Sequence, residues 1–103
     1  MSPTSESGLR ARALAEQAIL AALEADWPRA AELNQKIVET SPDDVEGRNR
    51  LGRAYIELNR LEEAKAAFTE VLRIEPYNSI ALRGNSRVTT LQEHNANVQQ
   101  CLG

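Results

Sequence analysis

Apolar and polar positions recur along most of the chain with the period of an α-helix. From Leu9 onward, aliphatic residues return every three or four positions, the spacing that lines one face of a helix. Short polar segments around Asp26, Pro42, Asn59 and Pro76 interrupt this pattern. No stretch alternates apolar and polar residues over more than a few positions, so no strand is predicted. The pattern predicts five helices, at about 9–25, 28–40, 44–58, 61–74 and 79–93.

Capping residues support these boundaries. Asp26 is a good N-cap, and Pro28 is tolerated in a first helical turn, where an N–H has no partner. Asp43, with Glu46 three residues on, resembles a capping box for the third helix. Asn78 is suited to cap the fifth helix. The small, polar residues 1–8 are predicted to be a disordered lead-in.

The chain repeats itself every 34 residues. Ala30 and Ala64 lie 34 apart, as do Pro42 and Pro76. Small residues form a column at the same step, made by Ala18, Gly52 and Ser86. A fixed period of this length, filled by two helices, indicates a repeat array rather than a single globular fold.

The second repeat carries the most specific motif. It reads Leu51-Gly52-x2-Tyr55, then Ala64-x3-Phe68, then Pro76, and it resembles the tetratricopeptide repeat family. Arg48 departs from the pattern, since a large apolar residue is usual there. The resemblance implies an all-α solenoid of antiparallel helix pairs over residues 9–94. Its repeats span about 11–44, 45–78 and a partial 79–94, followed by a C-terminal tail or short cap at 95–103.

The resemblance also implies a binding surface, because the first helix of each pair lines a concave groove in this family. Asn49 and Arg53 lie four residues apart, as do Arg83 and Arg87, so each pair shares one helix face. The planar guanidinium fork suits carboxylates, which favours an extended or acidic peptide as the ligand. The predicted partner-binding residues are Arg12, Ile19, Asn49, Arg53, Ile56, Arg83 and Arg87.

Two alternatives to this groove remain open. The arginines are either solvated or paired with Glu46 and Glu57. The fifth helix is apolar on more than one side, at Leu82, Val88 and Leu91, so a self-assembling scaffold that forms a homodimer through this helix is the second hypothesis.

Some family members bind the acidic tails of chaperones through Lys, Asn and Arg side chains in successive repeats. The corresponding positions here hold residues unsuited to that role, so the chaperone-tail clamp is expected to be absent. They are Ala15, Ile19, Arg50, Ile80 and Gly84.

Composition and charge narrow the function classes. The net charge is −3 and aromatic residues make up 4% of the 103 residues, so neither a basic field nor stacking groups favour nucleic acid. Cys101 is unpaired and His94 stands in a polar segment, which leaves no catalytic constellation and no zinc ligand set. The longest apolar run, residues 18–23, is too short to span a membrane. A cytoplasmic, non-enzymatic adaptor without metal or cofactor is expected.

Overall fold

A computed structural model describes the backbone of residues 3–102 and the side chains of residues 8–100. This part of the chain forms five α-helices and no strand, as predicted. Connections of three or four residues join consecutive helices, which fold back on one another as antiparallel pairs. The helices are α1 (Pro3–Leu23), α2 (Trp27–Thr40), α3 (Val45–Glu57), α4 (Leu61–Ile74) and α5 (Ser79–Leu102).

Side-chain caps begin three of the helices. The carboxylate of Asp26 accepts a hydrogen bond of 3.3 Å from the backbone N–H of Arg29, and so caps α2. The cap of α3 is Asp44, whose Oδ1 accepts from the N–H of Gly47 at 2.9 Å, so the predicted assignment to Asp43 was wrong by one residue. The reason is that α3 begins at Val45, which leaves Asp44 as the residue within reach of the third N–H.

The outer helices are longer than the sequence pattern predicts. α1 begins at Pro3, within the segment predicted as a disordered lead-in, while Met1 and Ser2 lie outside the described residues. α5 continues past the predicted end near residue 93 to Leu102, and Gly103 again lies outside. No Gly or Pro interrupts residues 85–102, so nothing in the local chemistry ends the helix there. The division into two full repeats and a partial one remains a prediction.

Successive helices pack in an elongated array. Each helix contacts the next, and α3 also contacts α5. The Cα radius of gyration is 15.4 Å, against about 13 Å for a compact domain of 100 residues. The core divides into one buried cluster where α1, α2 and α3 meet and another where α3, α4 and α5 meet, with Tyr55 packed against both. This division is what a stacked repeat array requires.

The second cluster closes around an aromatic wedge. Phe68 of α4 is 2% exposed, and its ring lies between Gly52 on α3 and Gly84 on α5. A Cβ added at Gly52 would come within 2.6 Å of the ring, and one at Gly84 within 2.5 Å. Both distances are far below van der Waals contact, so the ring occupies space that only glycine leaves on either side.

The predicted dimer face of α5 does not form one exposed surface. Val88 is fully buried against α4, Leu91 is partly buried against the same cluster, and Leu82 is 48% exposed. Val88 therefore belongs to the chain's own core and was wrongly assigned to an interface. The physical reason is that α5 turns its Ala81–Val88 side towards α4, where these residues complete the core.

Candidate functional site

An open groove of about 970 Å³ runs along the first helix of each pair. α1, α3 and α5 line it, with further contributions from the connecting segments and from three residues of α2 and α4. It brings together six of the seven residues that the sequence predicts as partner-binding: Ile19, Asn49, Arg53, Ile56, Arg83 and Arg87. Arg12 lies on the exposed surface of α1, outside the groove lining.

The end of the groove formed by α1 and α2 is apolar. Ile19 and Leu23 are exposed there, at 43% and 77%, beside the half-buried ring of Trp27. Ile56 of α3, which is 7% exposed, also lines the groove, but it packs in the second core cluster, with α4 and α5. Trp27 packs against the first core cluster, but it also faces the groove.

Two arginines from different helices converge on one carboxylate at the rim. Arg53 of α3 donates from Nε to Oε1 of Glu57 at 3.3 Å. Nη2 of Arg87, on α5, lies 3.6 Å from the same oxygen. The guanidinium carbon of Arg53 is also 5.4 Å from the centre of the Trp27 ring, within range of a cation–π interaction. Pairing with Glu57, one of the alternatives that the sequence left open, is therefore present.

The other two groove arginines have different partners. Arg83 donates to the carbonyl oxygen of Ser79 at 3.4 Å, within its own helix. Nε of Arg50 donates to Oδ1 of Asn34 at 2.9 Å, and Nδ2 of Asn34 donates to the carbonyl of Ala30 at 2.9 Å. Sequence reasoning missed this pair as a part of the groove. The 34-residue offset could have indicated it, because Asn34 occupies the position in the first repeat that is equivalent to Phe68 in the second.

Asn49 is buried and hydrogen-bonded, so its side chain contributes to the fold more than to the open groove. It is 7% exposed, and its Nδ2 donates to Oδ1 of Asn78 at 3.2 Å. The same Asn78 oxygen accepts a hydrogen bond from the N–H of Ala81 at 2.9 Å and so caps α5. Nδ2 of Asn78 donates to Oε1 of Glu75 at 3.1 Å. The buried Oδ1 of Asn49 has no partner among the described residues. Asn49 therefore ties α3 to the start of α5.

A smaller hollow of about 350 Å³ lies between α2 and α3, away from the groove. The Arg60 guanidinium lies 5.0 Å from the centre of the Tyr55 ring and binds both carboxylate oxygens of Glu63, at 2.7 and 2.6 Å. Burial, with a further contribution from Glu63, raises the pKa of the Tyr55 hydroxyl, and Arg60 partly offsets this. Arg60, the one cationic side chain of this lining, is already paired with Glu63, so the larger groove is the better candidate.

Other chemistry is sparse in the described part of the chain. Within it, no three His, Cys, Asp or Glu side chains are placed to hold a metal ion. Over the described residues, none of the five helices combines the length and the apolar composition of a membrane-spanning segment. The side chain of Cys101 lies outside the described residues. His94 is exposed on α5, beyond the groove lining.

Comparison with known proteins agrees with this architecture. The family model described as tetratricopeptide repeat matches residues 21–84. Among solved structures, the TPR2B domain of yeast Sti1, in a complex with pHsp70, superimposes with a TM-score of 0.79 at 18% identity. That match covers 86% of this chain and 71% of the other. A search of curated proteins gives no match. Because the family model covers more than half of its length, the chain belongs to the tetratricopeptide repeat family, whose domains bind other proteins.

Proposed function

We propose that the protein is a non-enzymatic adaptor whose groove binds an extended, acidic segment of a partner protein. One observation carries the proposal: guanidinium groups from α3 and α5 converge on a carboxylate oxygen at the edge of a groove that is apolar beside them, around Trp27. That arrangement suits a peptide that presents an acidic side chain near an apolar one.

The charge of the groove supports an acidic ligand. The charged residues that line it are four arginines and two glutamates, a balance of +4 − 2 = +2, although the whole chain carries −3. A positive cleft in a negative molecule concentrates the attraction for acidic segments at one place. The charged residues of the lining are Arg50, Arg53, Arg83, Arg87, Glu46 and Glu75.

The apolar end supports a second contact. Ile19 and Leu23 expose aliphatic surface beside the ring of Trp27. Burying about 100 Å² of such surface under a leucine side chain of the ligand would contribute about 2.5 kcal/mol before ordering costs. An apolar anchor of this kind adds affinity that exposed charge pairs alone do not provide.

The specificity proposed here differs from that of the chaperone-tail clamp. The five clamp positions carry no lysine, and the one arginine among them, Arg50, is bonded to Asn34. The complex with pHsp70 belongs to the structural neighbour, which shares the fold at 18% identity. We therefore expect acidic peptides with an internal apolar residue to bind better than a free acidic C-terminus.

A pair of peptides tests the proposal. The first is a fluorescein-labelled octapeptide with three glutamates and one leucine, and the second has glutamine at the three acidic positions. We expect the glutamate peptide to bind with a Kd of roughly micromolar order, and to bind more weakly as salt rises. Fluorescence anisotropy measures the affinity. The emission of Trp27, the one tryptophan of the chain, reports whether the peptide occupies the groove.

Charge reversal in the groove supplies the decisive variant. Arg53→Glu with Arg87→Glu should reduce binding of the glutamate peptide at least tenfold. The matched control is Arg10→Glu with Arg29→Glu, which changes the net charge equally at exposed positions outside the groove lining. Equal loss in both double variants would show a general charge effect and would remove the groove from the proposal.

A further inference from the structure

We propose that Glu57 is a built-in competitor, an internal carboxylate that occupies the arginine pair and that an acidic partner must displace. The inference rests on the proposed function of the groove and adds a selectivity element to it. It predicts that Glu57 weakens the binding of acidic peptides, and that its removal strengthens it.

The contact geometry is the first support. A single oxygen, Oε1 of Glu57, lies 3.3 Å from Nε of Arg53 and 3.6 Å from Nη2 of Arg87. A ligand carboxylate would contact the same two guanidinium groups, at the shorter distances of about 2.7–2.9 Å that charge-assisted hydrogen bonds adopt. Glu57 thus shows that the pair can receive a carboxylate, and it occupies that position itself.

The place of Glu57 in its helix is the second support. It is the last residue of α3, where the negative end of the helix dipole disfavours an acidic side chain. The order of the pair, Arg53 followed by Glu57, is also the less favourable one for a helix. The helix-end position and the order of the pair both reduce what Glu57 contributes to α3, so its contacts with Arg53 and Arg87 are its favourable interactions.

The exposure of the cluster makes the competitor displaceable. The side chains of Arg53 and Arg87 are 59% and 54% exposed, and that of Glu57 is 27% exposed. Both arginines line the groove and Glu57 does not, so the two ion pairs lie at the edge of the groove. Ion pairs with such exposure are weak and screened by salt. A ligand that adds an apolar contact at Trp27 would therefore displace Glu57, whereas a lone carboxylate would not.

The test compares Glu57→Gln with a matched control. Glu32→Gln removes the same charge and breaks another exposed ion pair at i,i+4 spacing, with Lys36 at 3.4 Å, away from the groove. The probes are the glutamate and glutamine octapeptides, measured by anisotropy at two salt concentrations. We expect Glu57→Gln to bind the glutamate peptide about threefold to tenfold more tightly than the unaltered protein, because two weak competing pairs are lost. The glutamine peptide should show no change, and Glu32→Gln should behave as the unaltered protein.

Each result has a distinct meaning. Weaker binding by Glu57→Gln would overturn the inference, because Glu57 would then hold the arginines in place for the ligand. Unchanged binding would overturn it as well, while the groove proposal would stand. If neither the unaltered protein nor Glu57→Gln bound either peptide, the proposed function would fail. The inference about Glu57 would then fail with it. Circular dichroism on Glu57→Gln and on a second variant, Glu57→Ala, confirms that folded proteins are compared.

Discussion

At the residue scale, one position between neighbouring repeats is filled in two different ways. In the second repeat a large residue, Phe68, meets Gly84. In the first repeat the equivalent positions, 34 residues earlier, hold Asn34 and Arg50, which hydrogen-bond at 2.9 Å. In the later pair the large residue, Phe68, is on α4 and the small one is on α5. In the earlier pair the longer side chain, Arg50, is on α3 and the shorter one is on α2. Neighbouring repeats therefore meet at this position through two chemistries, one apolar and one polar.

This wedge leads to a stability prediction for Gly84→Ala. The new Cβ would lie 2.5 Å from Cζ of Phe68, and Gly52 on the other side prevents the ring from retreating. Overpacking of this kind costs about 1–3 kcal/mol, and the gain in helix propensity returns up to about 1 kcal/mol. We expect a net loss of about 1–2 kcal/mol in the free energy of unfolding, measured by urea denaturation.

Gly8→Ala is the control for that variant. A Cβ at Gly8 meets nothing within 4 Å, so alanine should leave the stability unchanged or raise it slightly. If Gly84→Ala were as stable as Gly8→Ala, the Phe68 ring would have room that the structure does not show.

The sequence predicted the wedge only in part. Gly52 and Phe68 fall within one repeat motif, and their contact follows from the resemblance to the family. Gly84 lies one repeat after its partner Phe68, and Arg50 lies one repeat after its partner Asn34. The residue types alone did not indicate these contacts between repeats. Glu57 could be predicted as a partner of the arginines, since Arg53 lies one helical turn before it, but its contact with Arg87 depends on how α3 and α5 pack.

At the scale of elements, the start of α5 depends on a side chain that serves two helices. Asn78 caps α5 through the N–H of Ala81 and accepts a hydrogen bond from Asn49 of α3 with the same oxygen. Asp26, in contrast, caps α2 through a longer bond of 3.3 Å at an exposed site, and that bond joins the cap to α2 alone. The two caps should therefore differ in what they contribute to stability.

We expect Asn78→Ala to lower the free energy of unfolding by about 2 kcal/mol. Loss of a cap costs about 1 kcal/mol, and leaving the donor of buried Asn49 without its partner adds about 1 kcal/mol or more. Asp26→Ala, which loses a cap alone, should cost about 0.5–1 kcal/mol. Thermal or urea unfolding of both variants measures the difference. An equal loss in the two variants would mean that the hydrogen bond between Asn49 and Asn78 does not contribute to the free energy of unfolding.

Helix boundaries show where local signals are sufficient. α4 spans Leu61–Ile74 as predicted, because a tight turn precedes it and Pro76 follows it. Both three-residue turns contain a residue of left-handed conformation, Ala25 and Asn59, again 34 positions apart. The end of α5 was missed because its polar residues carry no core-facing pattern, and yet nothing in them opposes a helix.

At the scale of the whole molecule, the packing of α5 bears on self-association. Val88 is fully buried and Leu91 partly buried against the core, so two of the three residues predicted for a dimer face stabilise the monomer instead. The exposed large apolar side chains on the described surface are divided between α1, α5 and the connection before α5. An interface that holds a stable dimer normally buries about 800 Å² on each partner. Leu82 alone cannot supply such a surface.

We therefore expect a molar mass near 11.4 kDa by light scattering after size exclusion, from low to high protein concentration. Leu82→Asp should leave both the mass and the helix content unchanged, because this side chain is 48% exposed and its loss removes little core contact. Val88→Asp, with the same change of charge, should instead unfold the second cluster, since it would bury an unpaired carboxylate. A mass that doubles with concentration and returns to 11.4 kDa in Leu82→Asp would contradict this expectation and would make α5 an interface after all.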